Sequence, residues 1–418
     1  MTPTFGDMLR VFGRVGVLSF GGPAAQIALM HRVLVEERPW LSEQQFLRAL
    51  SFCMLLPGPE AMQLATYAGW RQRGIVGGLL AGGLFVIPGA IVIMALALAY
   101  GVYGDLAWMQ ALFLGVQAAV VVIVIGALRK VMAKALHGRK AIGIALAAFV
   151  ALCAFQIPFP VVILVAALIG AMTRAPKDAE TSPPLDMKNS LYVIVIGAVI
   201  WSVPIGIAWL MGSTFLVEIG LFFSKLAVVT FGGAYSVLAY MTQTVVADHG
   251  WISTAQMMDA LGLAETTPGP LILVTQFVGM IAGLAQGGGV MAFLAGLLTL
   301  WVTFVPCFIW IFAGAPLIDW LAGQPRLQAA LHGITAAVVG VIANLAVWFA
   351  LHVFFATVTD TSVGPALLAL PDVTTIQPVP VLLAIVAAIL MFWRNMDLLL
   401  TLLICAVLGI GLHIIGLA

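Results

Sequence analysis

Two cations and four chain breaks are the residues whose types and spacing could do chemistry in this sequence. Arg14 and Lys225 each stand six residues before the phenylalanine of a Phe-Gly-Gly triplet, Phe20-Gly21-Gly22 and Phe231-Gly232-Gly233. On a helix, six residues correspond to about 9 Å of rise. Pro23 follows the first triplet, and two Pro-Gly-Pro motifs lie downstream, Pro57-Gly58-Pro59 and Pro268-Gly269-Pro270. Each motif interrupts an apolar run that would otherwise be helical. A broken helix presents unpaired N–H groups where its next piece begins, and the helix dipole adds positive potential there. Glycine lets the backbone come close to a ligand. That is chemistry for holding an anion away from bulk water. The same residues also have a plainer use: glycines allow helices to pack closely, and prolines kink them.

A cation inside an apolar span is costly and marks a functional site by default. Arginine recognises oxyanions with a planar fork, whereas lysine acts as a point charge. Arg14 also lies four residues beyond Arg10 and could instead snorkel to a headgroup. Gln26 and Gln63, with Thr275 and Gln276, are neutral groups that could contact oxyanion oxygens or bond neighbouring helices. Arg48 and Asp259 stand 211 residues apart with opposite charges, suited to a structural ion pair, or leaving Arg48 to face a ligand. Glu60 follows the first Pro-Gly-Pro and Glu265 precedes the second. A carboxylate beside an anion site makes sense as a proton carrier whose pKa is raised by burial; otherwise it is a helix-end group near the interface. The cysteines (Cys53, Cys153, Cys307, Cys405) are scattered and the histidines form no ligand cluster, so no metal and no cofactor is expected.

These residues must be positioned by membrane helices. The 418-residue chain is 63% hydrophobic and only 8% charged, against about 25% charged in soluble domains. Its mean hydropathy is +1.14. A net charge of +1 makes no case for nucleic acid. The polar stretch Met1–Arg10 reads as no cleavable leader. A span needs about 20 apolar residues. Such runs cover 10–30, 46–69, 74–100 and 106–131, then a block from 141 to 172 that the turn Gln156-Ile157-Pro158-Phe159-Pro160 divides in two. After a polar linker they resume at 190–211, 215–246, 255–282, 287–313, 327–355, 377–393 and 398–418. The expectation is an all-α integral membrane protein of about 13 (10–13) transmembrane helices. Its divisions are an N-terminal repeat over 1–172, a cytoplasmic linker over 173–189, and a C-terminal repeat over 190–418 preceded by one extra span. Arg129, Lys130, Lys134, Arg139 and Lys140 crowd one loop, while the loop 357–375 holds no Lys or Arg. That bias puts the N-terminus in the cytoplasm.

The repeat is read directly. Phe12 aligns with Phe223, Trp40 with Trp251, Ser42 with Ser253 and Gln45 with Gln256, all 211 residues apart, before Pro88 and Pro306 align seven residues adrift. Six spans precede the linker and one unpaired span follows, so the two homologous repeats should be inverted. Inverted repeats with interrupted helices are a signature of secondary transporters.

At these residues the sequence resembles the chromate ion transporter family, over essentially the whole chain. The likeness rests on the doubled pattern of a basic residue, Phe-Gly-Gly, Trp40-Leu41-Ser42 or its counterpart, and Pro-Gly-Pro with Gln63 or Gln276 nearby. The resemblance implies a multi-pass protein of the inner (plasma) membrane that expels chromate and confers resistance, with sulfate as the competing analogue. Chromate is a dianion, so membrane potential would drive its export, with proton antiport as a further source. The implied partners are chromate, the lipid bilayer and, as an oligomeric reading, a second copy in a homodimer. The alternative is a permease or channel for sulfate or another oxyanion. An enzyme is not expected, because the chain carries no HExxH, GxSxG or nucleotide-binding signature. The copies differ: Ala234 replaces Pro23, and Glu265-Thr266-Thr267 replaces Met54-Leu55-Leu56.

Overall fold

A computed structural model describes residues 3–172, 187–229, 231, 233–318 and 324–417. Gly232 and residues 173–186 of the expected linker lie outside the described residues. The described chain is built almost wholly of helices. The first half runs α1 (Phe5–Leu18), α2 (Gly22–His31), α3 (Glu43–Cys53), α4 (Glu60–Tyr103), α5 (Ala107–Ala135), α6 (Arg139–Cys153) and α7 (Phe159–Met172). The second runs α8 (Met187–Leu210), α9 (Thr214–Val229), α10 (Ala234–Thr242), α11 (Thr254–Thr266), α12 (Val274–Gly314), α13 (Pro325–Phe354), α14 (Pro378–Ala388) and α15 (Leu398–Ile414). One expectation needs correcting. The loop over 357–375 folds as an antiparallel hairpin, β1 (Val358–Val363) with β2 (Ala366–Pro371), so the chain is not purely α. The alternation of Thr359, Thr361 and Val363 around Asp360 and Ser362 suits a strand better than a helix.

Among the described residues five helices are long and apolar enough to cross a membrane: Glu60–Tyr103, Ala107–Ala135, Asn189–Leu210, Leu271–Gly314 and Pro325–Phe354. The remaining expected spans are made of shorter pieces. At 14 residues, α1 rises about 21 Å, less than the ~30 Å hydrocarbon layer. The two longest helices are each a pair of arms. In α4 the chain turns at Arg73 and Gly74, where Gly74 takes φ 63°. In α12 it turns at Gly287 and Gly288, where Gly288 takes φ 68°. The dihedrals match at the two turns, and only glycine holds that left-handed geometry without strain. Residues 61–69 in the first arm of α4 and 271–283 leading into α12 are buried without interruption. A helix buried on every side needs an apolar surface all round, and these two sequences supply it except for Gln63, Thr66, Thr275 and Gln276.

Local structure recurs with the sequence. A π-turn follows α2 at Arg32–Glu37 and another follows α10 at Gln243–Asp248. Next, Ser42 and Gln45 cap α3 reciprocally, and Ser253 and Gln256 make the same pair of bonds at α11.

The chain forms two compact units, each drawing on both halves of the sequence. One comprises Met1–Gly101, Pro176–Ala234 and Leu263–Pro325; the other comprises Val102–Ala175, Tyr235–Gly262 and Arg326–Ala418. In the second unit small residues let backbones touch. Gly115 of α5 lies on the Cys405 carbonyl of α15, and Gly333 of α13 on the Ala166 carbonyl of α7. The hairpin is tied down by Leu367 N–H donating to the Ala154 carbonyl at 2.7 Å.

The first unit solves a problem set by its prolines. A proline inside a helix removes one N–H and orphans the carbonyl four residues earlier. Pro306 of α12 frees the Val302 carbonyl, and the Trp201 indole of α8 donates to it at 3.0 Å. Pro204 of α8 frees the Ile200 carbonyl, and the Trp301 indole of α12 donates to it at 3.2 Å. The exchange is reciprocal and explains why α8 and α12 pack along their length. Trp201 is therefore a helix-to-helix donor. Pro88 of α4 frees the Leu84 carbonyl, which faces Gly16 of α1 at backbone contact.

Removing the Trp201 donor should cost about 1–3 kcal/mol, the usual price of a stranded buried carbonyl. In a Pro306→Ala background the helix bond is restored, and the Trp201→Phe cost should fall by about 1 kcal/mol. A double-mutant cycle read by reversible unfolding in detergent micelles measures this. Additive costs would mean that the indole does not replace the missing helix bond.

Candidate functional site

In the first unit, the first Phe-Gly-Gly and the second Pro-Gly-Pro meet. Helix α1 stops at Ser19, which is fully buried and turns its hydroxyl back onto the Val15 carbonyl at 2.6 Å. Gly21 and Gly22 then take φ 84° and 79°, a pair of left-handed residues that re-aims the chain. Pro23 sits in the first turn of α2, where no donor is lost. One turn on, Gln26 is 2% exposed. Its Nε2 donates to the Ser19 carbonyl at 3.3 Å and to the Gly269 carbonyl at 2.7 Å. The Gly269 N–H donates to the same Ser19 carbonyl at 2.8 Å. Three hydrogen bonds thus close a ring between segments 243 positions apart.

Gly269 takes φ 90°, and a side chain there would press on the Phe85 carbonyl at 3.3 Å. Gly89, just after the helix proline Pro88, lies against the Pro268 carbonyl. The first Pro-Gly-Pro has a matching seat. Gly58 takes φ 114°, and Cys307, just after the helix proline Pro306, places its Sγ 2.8 Å from where a Cβ would stand. The seven-residue slip that aligned Pro88 with Pro306 in sequence is thus expressed as two equivalent contacts. Gln63 donates from Nε2 to the Pro57 carbonyl at 2.7 Å. A buried polar file continues from there. Cys307 Sγ donates to the Thr303 carbonyl at 3.5 Å, and the Thr303 and Thr275 hydroxyls lie 3.4 Å apart. Gln63 Oε1 and both amide atoms of Gln276 are buried without a hydrogen-bond partner among the described residues.

The charged candidates are distributed differently. Arg14 is exposed on α1, and its Nη1 lies 3.3 Å from Glu37 Oε2, while Arg32 approaches the other oxygen at 3.8 Å. Lys225 on α9 and Arg48 on α3 are exposed. Glu60 is the first residue of α4 and is half-buried. Glu265 near the end of α11 is 3% exposed, three residues before Pro268. Phe20, Phe231 and Gly233 are half-buried, and Gly233 takes φ 93°. In the second unit Asp259 is 3% exposed and accepts from Gln117 Nε2 at 2.8 Å. Gln117 also lines a cavity of about 360 Å³ with Thr254, Met258, His352 and Gln377.

Sequence reasoning passed over several of these groups. Ser19 and Gly89 matter through their backbones, which no side-chain motif announces. Cys307 stands among scattered cysteines, although its place after Pro306 matches that of Gly89 after Pro88. His31, at the end of α2, belongs to no ligand motif in the sequence. Its Nδ1 lies 3.1 Å from Glu36 and its Nε2 2.7 Å from Glu43. Only the doubly protonated ring donates to both carboxylates.

The chain matches the chromate transporter family over residues 6–171 and again over 217–410. It is 31% identical to a probable chromate transport protein of Synechococcus elongatus, over 82% of this chain and 83% of that protein. It is also 31% identical to chromate transport proteins of Cupriavidus metallidurans, over 82% of this chain and 81% of that one, and of Pseudomonas aeruginosa, over 81% and 79%. No solved structure matches.

The hydrogen bond that His31 donates to Glu43, assisted by Glu36, raises the His31 pKa above its ordinary 6.5. Its contribution to stability is then fully present below pH 6.5 and is lost as pH rises through the folded-state value. The melting temperature of the wild type should exceed that of His31→Gln at acidic pH, with the gap closing as pH rises. A gap that does not change with pH would show that His31 stays neutral.

Proposed function

Because the chain belongs to the chromate transporter family, we propose that it carries chromate out of the cell through the first unit, at the junction of the first Phe-Gly-Gly with the second Pro-Gly-Pro. The observation that carries this reading is the ring of bonds joining Gln26, Ser19 and Gly269. It gathers donors and two helix starts at one place, next to the exposed Gly21, Ala24 and Ala25. A dianion needs aligned N–H groups to leave water, and helix starts provide them.

Electrical drive favours export. A dianion leaving a negative-inside cell gains about 4.6 kcal/mol per 100 mV, at ~2.3 kcal/mol per charge. Proton antiport would add to this, with Glu265 and Glu60 as the carriers, because each flanks a Pro-Gly-Pro and Glu265 is buried. Arg14 and Lys225 serve as the cations that draw the anion towards the breaks, and Arg48 contributes to the same field. The matched π-turns, caps and arm turns support an architecture of two repeats, and the odd span between them supports inversion. Sulfate, of the same shape and charge, is the expected competitor.

Everted membrane vesicles should accumulate chromate when the interior is made positive, and excess sulfate should reduce the flux. Arg14→Ala and Lys225→Ala should each lower the rate at least about tenfold at unchanged protein level. Vesicles that accumulate no chromate under any gradient would end this reading. Uptake that responds to potential but ignores a pH gradient would remove proton coupling while leaving the exporter intact.

A further inference from the structure

We propose that the bonds among Gln26, Ser19 and Gly269 form a latch that the transported oxyanion opens by substitution, taking over the Gln26 carboxamide and the Gly269 amide from the protein's own carbonyls. The proposal rests on the transport reading above and adds a specific exchange of partners. Both donors are of the kind that binds oxyanions, an uncharged side-chain NH₂ and a backbone N–H. Both are now spent on acceptors of the same chemistry: the Ser19 carbonyl takes one bond from each, and the Gly269 carbonyl takes a second from Gln26.

Competition decides what breaks the ring. Gln26 and Ser19 are buried, so the donors cannot be released to nothing; an unpaired buried donor loses its full solvation. Water does not reach them freely in the closed state. A charged acceptor makes hydrogen bonds about twice as strong as a neutral carbonyl does. A tetrahedral dianion arriving past Gly21, Ala24 and Ala25 therefore displaces Ser19 where a neutral solute would not. The exchange also supplies motion. Ser19 holds the end of α1, and Gly269 precedes the fully buried run 271–283, so moving both donors onto the anion uncouples α1 from that run. The device is one-sided. The position 211 residues after Gln26 is Val237, which has no donor. The carboxamide exchange therefore has no counterpart at that repeat position, so the two ends of the transport cycle should differ in what opens them.

The test is the chromate concentration dependence of flux into everted vesicles, for the wild type, Gln26→Ala, Gln26→Glu and Gln26→Asn. Gln26→Ala loses a donor to the anion and should raise the half-saturating concentration about tenfold while the maximal rate is kept or increased. Gln26→Glu keeps the size but offers a carboxylate, and should raise it further. Gln26→Asn retains the donor on a shorter arm and should recover part of the affinity. A merely structural glutamine would instead lower the maximal rate and leave the half-saturating concentration alone, and that result overturns the latch. Wild-type vesicles that move no chromate would defeat the transport reading; wild-type transport with an unaltered half-saturating concentration in Gln26→Ala defeats the latch alone. Should the Gln26 variants fail to fold, amide exchange of the peptide containing Gly269 in purified wild-type protein decides the matter. Chromate should change its protection, and no change overturns the proposal.

Discussion

Backbone polar groups in a membrane must find partners inside the protein, because lipid offers none. Most of the particular features of the first unit follow from that constraint. Each break in a helix creates groups to satisfy, and several of them are met by a specific neighbour among the described residues. The Ser19 carbonyl, left where α1 ends, accepts from Gln26 and Gly269. The carbonyls freed by Pro204 and Pro306 accept from two tryptophans. The carbonyl freed by Pro88 faces a glycine that allows close approach. At these breaks another segment is shaped to complete or to approach the groups that the break exposes.

That constraint turns structure into function. A break completed by protein atoms is stable while closed, yet its partners are hydrogen bonds rather than packed methyl groups. Hydrogen bonds can be exchanged for a ligand of the right polarity at small net cost, whereas an apolar seam cannot. Pro-Gly-Pro combines both properties. Its prolines fix the direction of the next helix, and its glycine takes a left-handed φ, 114° at Gly58 and 90° at Gly269. The glycine can then lie against a helix wall, at Cys307 in one case and Gly89 in the other. The motif is rigid in direction but presents bare backbone, which suits a gate for a solute that binds N–H groups.

Much of this was legible in the sequence because it rests on residue type. The breaks at Gly21 and Gly58 were visible as glycine and proline in apolar runs, and the recurrence of Trp40, Ser42 and Gln45 at Trp251, Ser253 and Gln256 marked the caps that the structure repeats. The seven-residue slip to Pro306 was also readable, although its meaning as a pair of seats was not. Contacts made by carbonyls escaped. Nothing in the identity of Ser19 or Gly89 reveals which backbone it meets, since that depends on how segments hundreds of residues apart return to one place. The hairpin over 358–371 was missed for another reason: a loop with no charge pattern of its own was assigned by elimination, when its threonines already favoured a strand. His31 escaped because its two carboxylates sit five and twelve residues away across a π-turn, a spacing that matches no ligand motif.

The two halves of the sequence share their breaks and caps, and several of their differences fall on the groups that complete the breaks. Gln26 has Val237 as its counterpart, Pro23 has Ala234, and Gly89 has Cys307. Each change replaces a polar, rigid or bare backbone position with a small side chain that lacks that property. A symmetric carrier would need the same bonds to open on both faces and would bind its anion equally from each. Keeping a donor at one junction and an aliphatic side chain at the equivalent repeat position biases which junction responds to a charged solute. Such a bias makes the two junctions differ in affinity, while the gradient alone sets the direction of net flux. It arises without altering the helix plan, because the plan is set by glycines and prolines that both copies retain at Gly58, Pro59, Gly269 and Pro270.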